Sequence, residues 1–341
     1  MAAHLLGASP MSTTTPPDSP ANNAEAPPST SDIDARLAGL DVSNAGSARR
    51  HFFARLADTA SVLEIGPLAN PSVRGPHVKY FDVMPTDELR KKAVSHDLDP
   101  NNCPEIHYYS READLSIVPD RFEAVVSSHS IEHQPDLVGH LNKVAALLDV
   151  GGCYWIAAPD KRYCLDHFKR LSGIVDVLDA HVRGARVHSA ATLISHSALS
   201  THNDTARHWK GDHGEPAYNA DVNRLLHGIN ALLFSDGAYV DSHAWQFTPE
   251  TFQEIVELLS AIGYSVFKPV KIYPTAHNSN EFYAVLQKVR EKPLNPLADL
   301  PPNFDPVLYL EANPDVARAG VNPIAHYRSF GAREGRRLRP D

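Results

Sequence analysis

The 341-residue sequence has little cysteine, no block of clustered positive charge and no long apolar run. Its three cysteines, Cys103, Cys153 and Cys164, are odd in number and form no C-x-x-C pair, so neither a disulfide framework nor a zinc knuckle is indicated. The formal net charge is -9. Nucleic acid is disfavoured as the main partner, because neutralising phosphates requires clustered cations. A reducing cytoplasm fits this composition best.

Long apolar segments are also missing. No stretch approaches the ~20 residues that a membrane helix requires, and the start, MAAHLLGASPM, has no cationic region of the kind that precedes a signal peptide core. We expect neither a membrane span nor a signal peptide. From Ser9 to about Ser31 large apolar residues are almost absent, so burial cannot offset the entropy of ordering. Residues 1–32 are therefore predicted to be a disordered tail.

The chain that follows alternates short apolar runs with longer helical patterns. Helical spacing from Ile33 to Asp58 predicts a cover for one edge of the core, and Leu137 to Leu148 repeats its apolar residues at the period of a helix that Gly151 and Gly152 close. The predicted strands are Val62 to Ile65, Val78 to Val83, Phe122 to Ser127, Cys153 to Ala158, Tyr264 to Val270 and Glu281 to Gln287. This alternation predicts an α/β fold with a mostly parallel sheet and crossover helices.

Composition divides the rest of the chain. Residues 161–241 are rich in His, Arg, Asp and Asn and are predicted to form a cap inserted into a main domain at 33–289. The helical rhythm resumes at Thr248, a good N-cap followed by proline. Prolines mark residues 290–303 as a linker, and residues 304–341 as a small C-terminal helical module that is too short to be an enzyme alone.

The stretch ASVLEIGPLANPSV, residues 60–73, contains only one glycine. In open parallel sheets, ligands bind beyond the carboxyl ends of the strands. Gly66 stands at such an end and allows a sharp turn with close backbone approach. Asp82, in KYFDV, ends the next strand, where a carboxylate could accept hydrogen bonds from a ribose diol. Alternatively, Gly66 only ends a strand and Asp82 only starts a turn.

Several segments together favour the ligand site. VLEIGP, YFDV, ADL, FEAVVSSHSIEH and LLDVGGCYWIAAPD, in this order, resemble class I S-adenosylmethionine-dependent methyltransferases over about residues 48–289. SHSIEHQPD, APDKRYCLDHF, YVDSHAWQFTPETF and NEFYAVL are similar to a bacterial subfamily associated with polysaccharide and glycosyltransferase genes. The resemblance implies a Rossmann-like, doubly wound, seven-stranded sheet and S-adenosylmethionine as the cofactor.

The resemblance also implies which residues bind the cofactor. In chain order these are Glu64, Gly66, Asp82, Asp114, Leu115, Ser127, Ser128 and His129. Gly66 belongs to the first motif, Asp82 is the ribose-binding acid, and the serines line the methionine end. Leu68 and Asn70 stand where many relatives have further glycines, and Asn70 can still adopt the left-handed conformation.

Methyl transfer to a hydroxyl requires alignment of the reactants and a base that takes the hydroxyl proton. His129 and His133, four residues apart in HSIEH, are predicted to share a helical face near the methyl group, and His243 is a further candidate base. A packing or hydrogen-bonding role is the alternative for each histidine. HSIEH does not match H-E-x-x-H and no third ligand is evident, so no metal is predicted.

Two further groups could bind the methyl acceptor. Asp160, Arg162 and Tyr163 follow the predicted strand Cys153 to Ala158, where Arg162 could clamp an anion and Asp160 could bond a sugar hydroxyl. The alternative is a salt-bridged loop anchor. Asp241 and Trp245 alternate with His243, and Trp245 could offer an apolar plate to a sugar ring. Docking of the cap onto the helix near Thr248 explains the aromatic residue equally well.

The sequence as a whole predicts a methyltransferase that acts on a hydroxyl of a sugar, glycan or glycan precursor. HYRSFGAREGRRLRP, near the end, is similar to a module found on bacterial glycosyltransferases and could bring the enzyme into a glycosyltransferase complex. Two alternatives stay open: a small-molecule methyltransferase outside glycan metabolism, and a non-catalytic binding protein of the same fold. An NAD-dependent reductase is disfavoured because GPLANP lacks the G-x-G-x-x-G spacing.

Overall fold

The computed structural model describes residues 30–294, 300–301 and 303–340. Most of the predicted tail, 1–29, lies outside these residues, and its last three residues belong to the first helix, α1. Within the predicted linker, residues 295–299 and 302 also lie outside the described chain. The limits of the domains stay predictions.

Seven strands form one sheet in the order β3-β2-β1-β4-β5-β7-β6. The strands are β1 Val62–Ile65, β2 Val78–Asp82, β3 Tyr108–Tyr109, β4 Phe122–Ser128, β5 Leu148–Pro159, β6 Phe267–Tyr273 and β7 Glu281–Lys288. β1 to β5 pair in parallel, whereas β7 runs antiparallel to both of its neighbours. The predicted α/β fold with a mostly parallel, seven-stranded sheet is confirmed.

Helices cover both faces of the sheet, as a doubly wound fold requires. Those around the sheet are α1 Thr30–Leu37, α2 Ala45–Ala54, α3 Thr86–Ser95, α4 Leu137–Ala146 and α10 Pro249–Ala261. On one face, α2 packs Phe52 against Trp155 and Tyr283, with ring centroids 4.9 Å apart in each pair. On the other face, buried apolar residues of α4 and α10 share one core with β4 and β5. The sheet is thus buried from both sides.

The start of β5 differs from the prediction. Gly151 and Gly152 do not close α4, which ends at Ala146, because β5 already begins at Leu148. The pairing with β4 shifts register here, since Phe122 pairs with Leu148 but Ala124 pairs with Cys153. Gly151 has a φ of +96°, which L side chains rarely adopt. The glycines therefore permit an irregular strand entry, and the prediction of a helix end was wrong.

Short helices fill the chain between β5 and α10 and the chain after β7. Between β5 and α10 these are α5 Ile174–Val182, α6 Ala190–Leu199, α7 Thr205–Trp209, α8 Ala217–Ala220 and α9 Arg224–Phe234. After β7 they are α11 Pro306–Ala312, α12 Pro314–Arg318 and α13 Pro323–His326. The predicted start of α10 is confirmed, because the Thr248 hydroxyl accepts a hydrogen bond from the Thr251 backbone amide at 3.3 Å.

The antiparallel direction of β7 determines which of its residues lies at the edge where the parallel strands end. The parallel strands β1, β2, β4 and β5 all deliver their carboxyl ends to that edge. Because β7 runs in the opposite direction, its first residue, Glu281, lies at the same edge, paired with Pro159 at the end of β5. A carboxylate from a late segment of the chain therefore joins residues that follow the early strands.

Candidate functional site

The loop after β1 is held by a buried carboxylate. Glu64 is 1% exposed, and its side chain accepts hydrogen bonds from the backbone amides of Ser72 at 2.6 Å and Val73 at 3.1 Å. Burial raises the pKa of Glu64, and the two amides partly oppose this shift. Glu64 thus fixes the far end of the loop.

The near end of that loop turns at Gly66. Gly66 is exposed, has a φ of +70°, and donates its amide to the Phe81 carbonyl at 2.9 Å, directly before Asp82. Leu68 also takes a positive φ, of +43°, whereas Asn70 does not. The left-handed conformation that Asn70 can adopt is therefore not used, and Leu68 carries the strain instead.

Asp82 ends β2 beside Gly66, as predicted. Its carboxylate accepts the Met84 amide at 3.1 Å, and burial raises its pKa. The backbone of Asp82 also anchors the next loop, since its carbonyl accepts the Ser110 amide at 3.2 Å. Two consecutive loops are thereby tied to the end of one strand.

Asp114 and Leu115 lie in the loop that Ser110 anchors. Asp114 caps a short 3-10 turn, Leu115–Ile117, by accepting the Ser116 amide at 3.2 Å, and the Ser116 contacts lower its pKa. The Leu115 side chain is 2% exposed and packs in the main core. A ligand at this position would therefore meet backbone and Asp114 but almost none of the Leu115 side chain.

The two serines at the end of β4 have different environments, because successive strand residues point to opposite faces. Ser127 is fully buried, and its hydroxyl lies 2.6 Å from the Tyr154 hydroxyl, which in turn lies 3.0 Å from Nε2 of His140. Its hydroxyl is therefore engaged within the core, so a contact of Ser127 with a ligand along the methionine end would have to come from its backbone. Ser128 instead accepts a hydrogen bond from Arg49.

Arg49 and Glu281 form a network that reaches His129. Arg49 Nη1 lies 2.9 Å from Glu281 Oε2, and the same oxygen lies 3.0 Å from His129 Nε2. Burial works against ionisation, but His129 and Arg49 together hold the pKa of Glu281 at about 2. Burial also acts to lower the pKa of His129. The hydrogen bond to Glu281 and the neighbouring carboxylates together outweigh burial, so the pKa of His129 is raised. The network joins α2, the end of β4 and the start of β7.

The predicted common helical face of His129 and His133 does not exist. His129 has a φ of +48° and leaves the strand, whereas His133 ends a short 3-10 turn, Ile131–His133. The fold nevertheless brings both rings to the fully buried carboxylate of Glu132. His129 Nδ1 and His133 Nε2 each lie 3.7 Å from Glu132 Oε1.

His243 joins the same cluster from a distant part of the chain. The Glu132 carbonyl accepts the amides of Ala244 at 2.7 Å and Trp245 at 3.2 Å, which anchors this segment. The rings of His243 and His133 then meet edge to face, with centroids 4.6 Å apart. All three histidines predicted as candidate bases therefore surround one glutamate.

Each of the two meeting rings has its own carboxylate partner. His133 Nδ1 lies 2.8 Å from Asp241 Oδ1, and His243 Nδ1 lies 2.6 Å from Asp166 Oδ2. Asp166 is buried and also paired with Lys169. Burial opposes its ionisation, but His243 and Lys169 together lower its pKa to about 2. Asp241, predicted to contact the acceptor, therefore orients His133.

The contacts of Asp160, Arg162 and Tyr163, which follow β5, fit the alternative of a salt-bridged loop anchor. Asp160 is fully buried, and it accepts hydrogen bonds from the Arg162 guanidinium at 2.6 Å and the Thr275 hydroxyl at 2.6 Å. This carboxylate is enclosed, so the expectation that it bonds a sugar hydroxyl was wrong. Tyr163 stacks on Trp209 of α7 at 3.9 Å. The segment is a salt-bridged anchor to which α7 docks.

Trp245 also has a structural position. Its side chain is 4% exposed and lies in the main core, where Nε1 donates to the Gln134 carbonyl at 2.6 Å. A buried indole cannot offer its face to a sugar ring, so that expectation was wrong. Docking of the cap segment onto the core explains this residue.

The sequence did not identify four residues that organise the site, namely Arg49, Glu132, Asp166 and Glu281. Glu132 lies within HSIEH, where its position does not match the glutamate of H-E-x-x-H. Glu281 opens the strand motif NEFYAVL, and only the direction of β7 brings it to the site edge. Arg49 carries no local signal, because its partners Ser128 and Glu281 are far away in the sequence. Asp166 pairs with nearby Lys169, but only the fold brings it to His243.

Comparison with known proteins gives fold-level likenesses only. No family model matches the chain, and no curated protein matches it. Among solved structures, the mitomycin 7-O-methyltransferase MmcR is 11% identical with a TM-score of 0.33, over 72% of this chain and 59% of its own. The CcbJ methyltransferase of Streptomyces caelestis is 14% identical, with a TM-score of 0.35, over 70% and 93%.

A third solved structure is the magnesium protoporphyrin IX methyltransferase ChlM of Synechocystis PCC 6803 with bound SAH. It is 11% identical with a TM-score of 0.32, over 75% of this chain and 92% of its own. The present chain spans 59% of the length of MmcR, which is less than two thirds. Likenesses at this level identify neither a substrate nor a reaction.

Among the described residues, no helix is long and apolar enough to cross a membrane.

Proposed function

We propose that the protein is an S-adenosylmethionine-dependent methyltransferase that acts on a hydroxyl group of a sugar, glycan or glycan precursor. One observation carries the proposal: the exposed turn at Gly66 after β1, the Asp82 carboxylate at the end of β2 and His129 after β4 stand at the ends of three adjacent strands of the sheet. This is the edge of an open sheet at which ligands bind.

The residues at this edge fit the cofactor. The Gly66 backbone can approach a ligand closely because it carries no side chain, and the Asp82 carboxylate suits a ribose diol. Glu64 holds the loop from the opposite side. When bound, S-adenosylmethionine supplies an electrophilic methyl group, so the protein chiefly has to align the acceptor and exclude water. A pyrophosphate-binding glycine loop, which GPLANP lacks, is not required for this ligand.

His129 is the proposed base. Glu281 accepts a hydrogen bond from its Nε2, which assigns the ring proton to that nitrogen and leaves Nδ1 to accept a proton. An acceptor hydroxyl beside Nδ1 would give up its proton to the ring as the oxygen is methylated. Glu281 would then stabilise the charged ring, and Arg49 would keep Glu281 in place.

The acceptor class is supported by the sequence resemblance and by the polar cap segment. A sugar or glycan precursor in the cytoplasm fits both, and the C-terminal module, which contains α11 to α13, is the proposed tether to a glycosyltransferase complex. The module has an ordered centre, because the buried Tyr309 hydroxyl lies 2.9 Å from His326 Nδ1. A small-molecule acceptor outside glycan metabolism is the second candidate.

Transfer of a labelled methyl group to a panel of nucleotide sugars, oligosaccharides and small phenols tests the proposal. Label on sugar hydroxyls supports it, and label on phenols alone favours the second candidate. The Asp82→Asn variant is expected to need about tenfold more cofactor, because a charged hydrogen-bond acceptor is lost. Asp87→Asn, an exposed acid five residues later on α3, is the matched control. No transfer to any acceptor by the wild type contradicts the proposal.

A further inference from the structure

The carboxyl group of Glu132 is buried in an unusual way. The side chain is fully buried, and neither of its oxygens has a hydrogen-bond partner within the described residues. An unpaired ionised carboxylate is costly to bury, so such groups in proteins are paired with a cation or coordinate a metal. The groups that approach Glu132 are the rings of His129 and His133, each with a nitrogen 3.7 Å from Oε1.

The spacing around Glu132 fits a metal better than hydrogen bonds. His133 Nε2 lies 3.7 Å from Glu132 Oε1, which is too long for a hydrogen bond. Two ligands that each lie about 2.0–2.2 Å from a tetrahedral Zn²⁺ are separated by roughly 3.3–3.6 Å. One ring nitrogen of His243 also lies within 4.8 Å of the ligand atoms of Glu132 and His133. The three groups can thus converge on one ion after small adjustments.

Both histidines are oriented as metal ligands usually are. A histidine that binds a metal through one nitrogen commonly donates its other N–H to a carboxylate, which fixes the ring. Here Nδ1 of His133 is engaged by Asp241 and Nδ1 of His243 by Asp166. In each ring this leaves the other nitrogen, Nε2, in a position to bind an ion.

We propose that Glu132, His133 and His243 form a binding site for one divalent metal ion of the zinc class. Two imidazoles and one carboxylate suit Zn²⁺ and disfavour Mg²⁺ or Ca²⁺, which prefer oxygen ligands. His133 and Asp241 are partly exposed, which gives the ion a way in from solvent. Three protein ligands leave a fourth position of a tetrahedral ion open.

A second histidine cluster, His167, His208 and His213, is a weaker candidate. The rings of His167 and His213 stack in parallel, with centroids 3.7 Å apart and planes at 11°, so their in-plane lone pairs do not converge. His208 Nδ1 already lies 3.0 Å from His213 Nδ1, which fits a direct hydrogen bond. This cluster therefore supplies the matched control.

Metal binding is measurable without any cofactor or acceptor, so the test is independent of the proposed function. The full-length protein is stripped with a chelator and titrated with Zn²⁺ against a chromophoric competitor, and with Co²⁺ to record the absorption of a tetrahedral site. The wild type is expected to bind one equivalent at the Glu132 site. Glu132→Gln is expected to weaken binding about 100-fold or more, and Asp241→Asn, which removes an orienting carboxylate, about 10–100-fold.

Stability provides a second readout that separates a ligand from a merely structural residue. Without metal, Glu132→Gln is expected to leave the melting temperature unchanged or higher, because the carboxyl oxygens of Glu132 make no hydrogen bond within the described residues that the variant could lose. Added Zn²⁺ is expected to raise the melting temperature of the wild type but not of this variant, and Mg²⁺ to raise neither. His208→Asn is expected to retain the Zn²⁺ effect. Wild-type protein without Zn²⁺ affinity, or equal affinity in Glu132→Gln, overturns the proposal.

Discussion

His129 Nε2 lies 3.0 Å from Glu281 Oε2, a contact that joins the end of β4 to the first residue of the antiparallel strand β7. If His129 is the base, replacing it should slow the chemical step and leave the cofactor site intact. We expect His129→Asn to lower kcat by about 10²–10⁴-fold, with the affinity for S-adenosylmethionine within about threefold of wild type. Steady-state kinetics and calorimetry measure the two quantities.

The control for that variant is His96→Asn, an exposed histidine after α3, which should leave kcat unchanged. A fall in cofactor affinity as large as the fall in kcat would instead make His129 a structural part of the cofactor site.

The turn at Gly66 offers a test that separates backbone strain from ligand contact. Because Gly66 has a φ of +70°, Gly66→Ala should reduce the free energy of unfolding by about 1–2 kcal/mol. Gly39 has a similar φ of +65°, with no atom of the described residues within 4 Å of an added methyl group, so Gly39→Ala should cost the same. Only Gly66→Ala should also weaken cofactor binding. Equal cofactor affinity in the two variants would argue against a ligand at Gly66.

The hydroxyl of Ser127 is expected to matter for stability alone. It belongs to a buried chain with Tyr154 and His140, so Ser127→Ala should lower the free energy of unfolding by about 1 kcal/mol or somewhat more. Urea denaturation measures this loss, and calorimetry should find cofactor affinity unchanged. A variant of wild-type stability that binds the cofactor poorly would return Ser127 to the cofactor site.

Burial lowers the pKa of His140 to about 4, below the unfolded value of about 6.5. Between these values the unfolded chain binds a proton that the folded protein does not, so stability falls as the pH falls from 6.5 towards 4. His140 should account for about 2 kcal/mol of the stability lost between pH 7.5 and pH 5.

Urea denaturation of wild type and His140→Gln at the two pH values measures this share. His188 and His196, whose pKa values burial also lowers to about 4, keep part of the pH dependence in the variant. An identical loss of stability in both proteins would show that His140 is not responsible.

Local pattern predicted much of this fold, because strands and helices carry their periodicity and caps in adjacent residues. The start of α10 at Thr248 and the position of Asp82 at the end of β2 follow from such signals. Gly151 was misplaced because a glycine pair ends a helix and permits an irregular strand equally well.

The site was predicted less completely, because its organising contacts join distant segments. The direction of β7, which brings Glu281 to His129, is not encoded in a hydrophobic period. Likewise, His243 reaches Glu132 only because the Glu132 carbonyl holds the backbone of Ala244 and Trp245. Their residue type suggested His129, His133 and His243 as candidate bases. Only the fold shows that Glu132 lies between them.

The most direct test of the central claim is calorimetric titration of the purified full-length protein with S-adenosylmethionine, S-adenosylhomocysteine and NADH. We expect both sulfur nucleotides to bind with one site per chain and NADH not to bind. Failure of both sulfur nucleotides to bind would contradict the central claim, and would make the fold around Gly66 and Asp82 that of a non-catalytic binding protein.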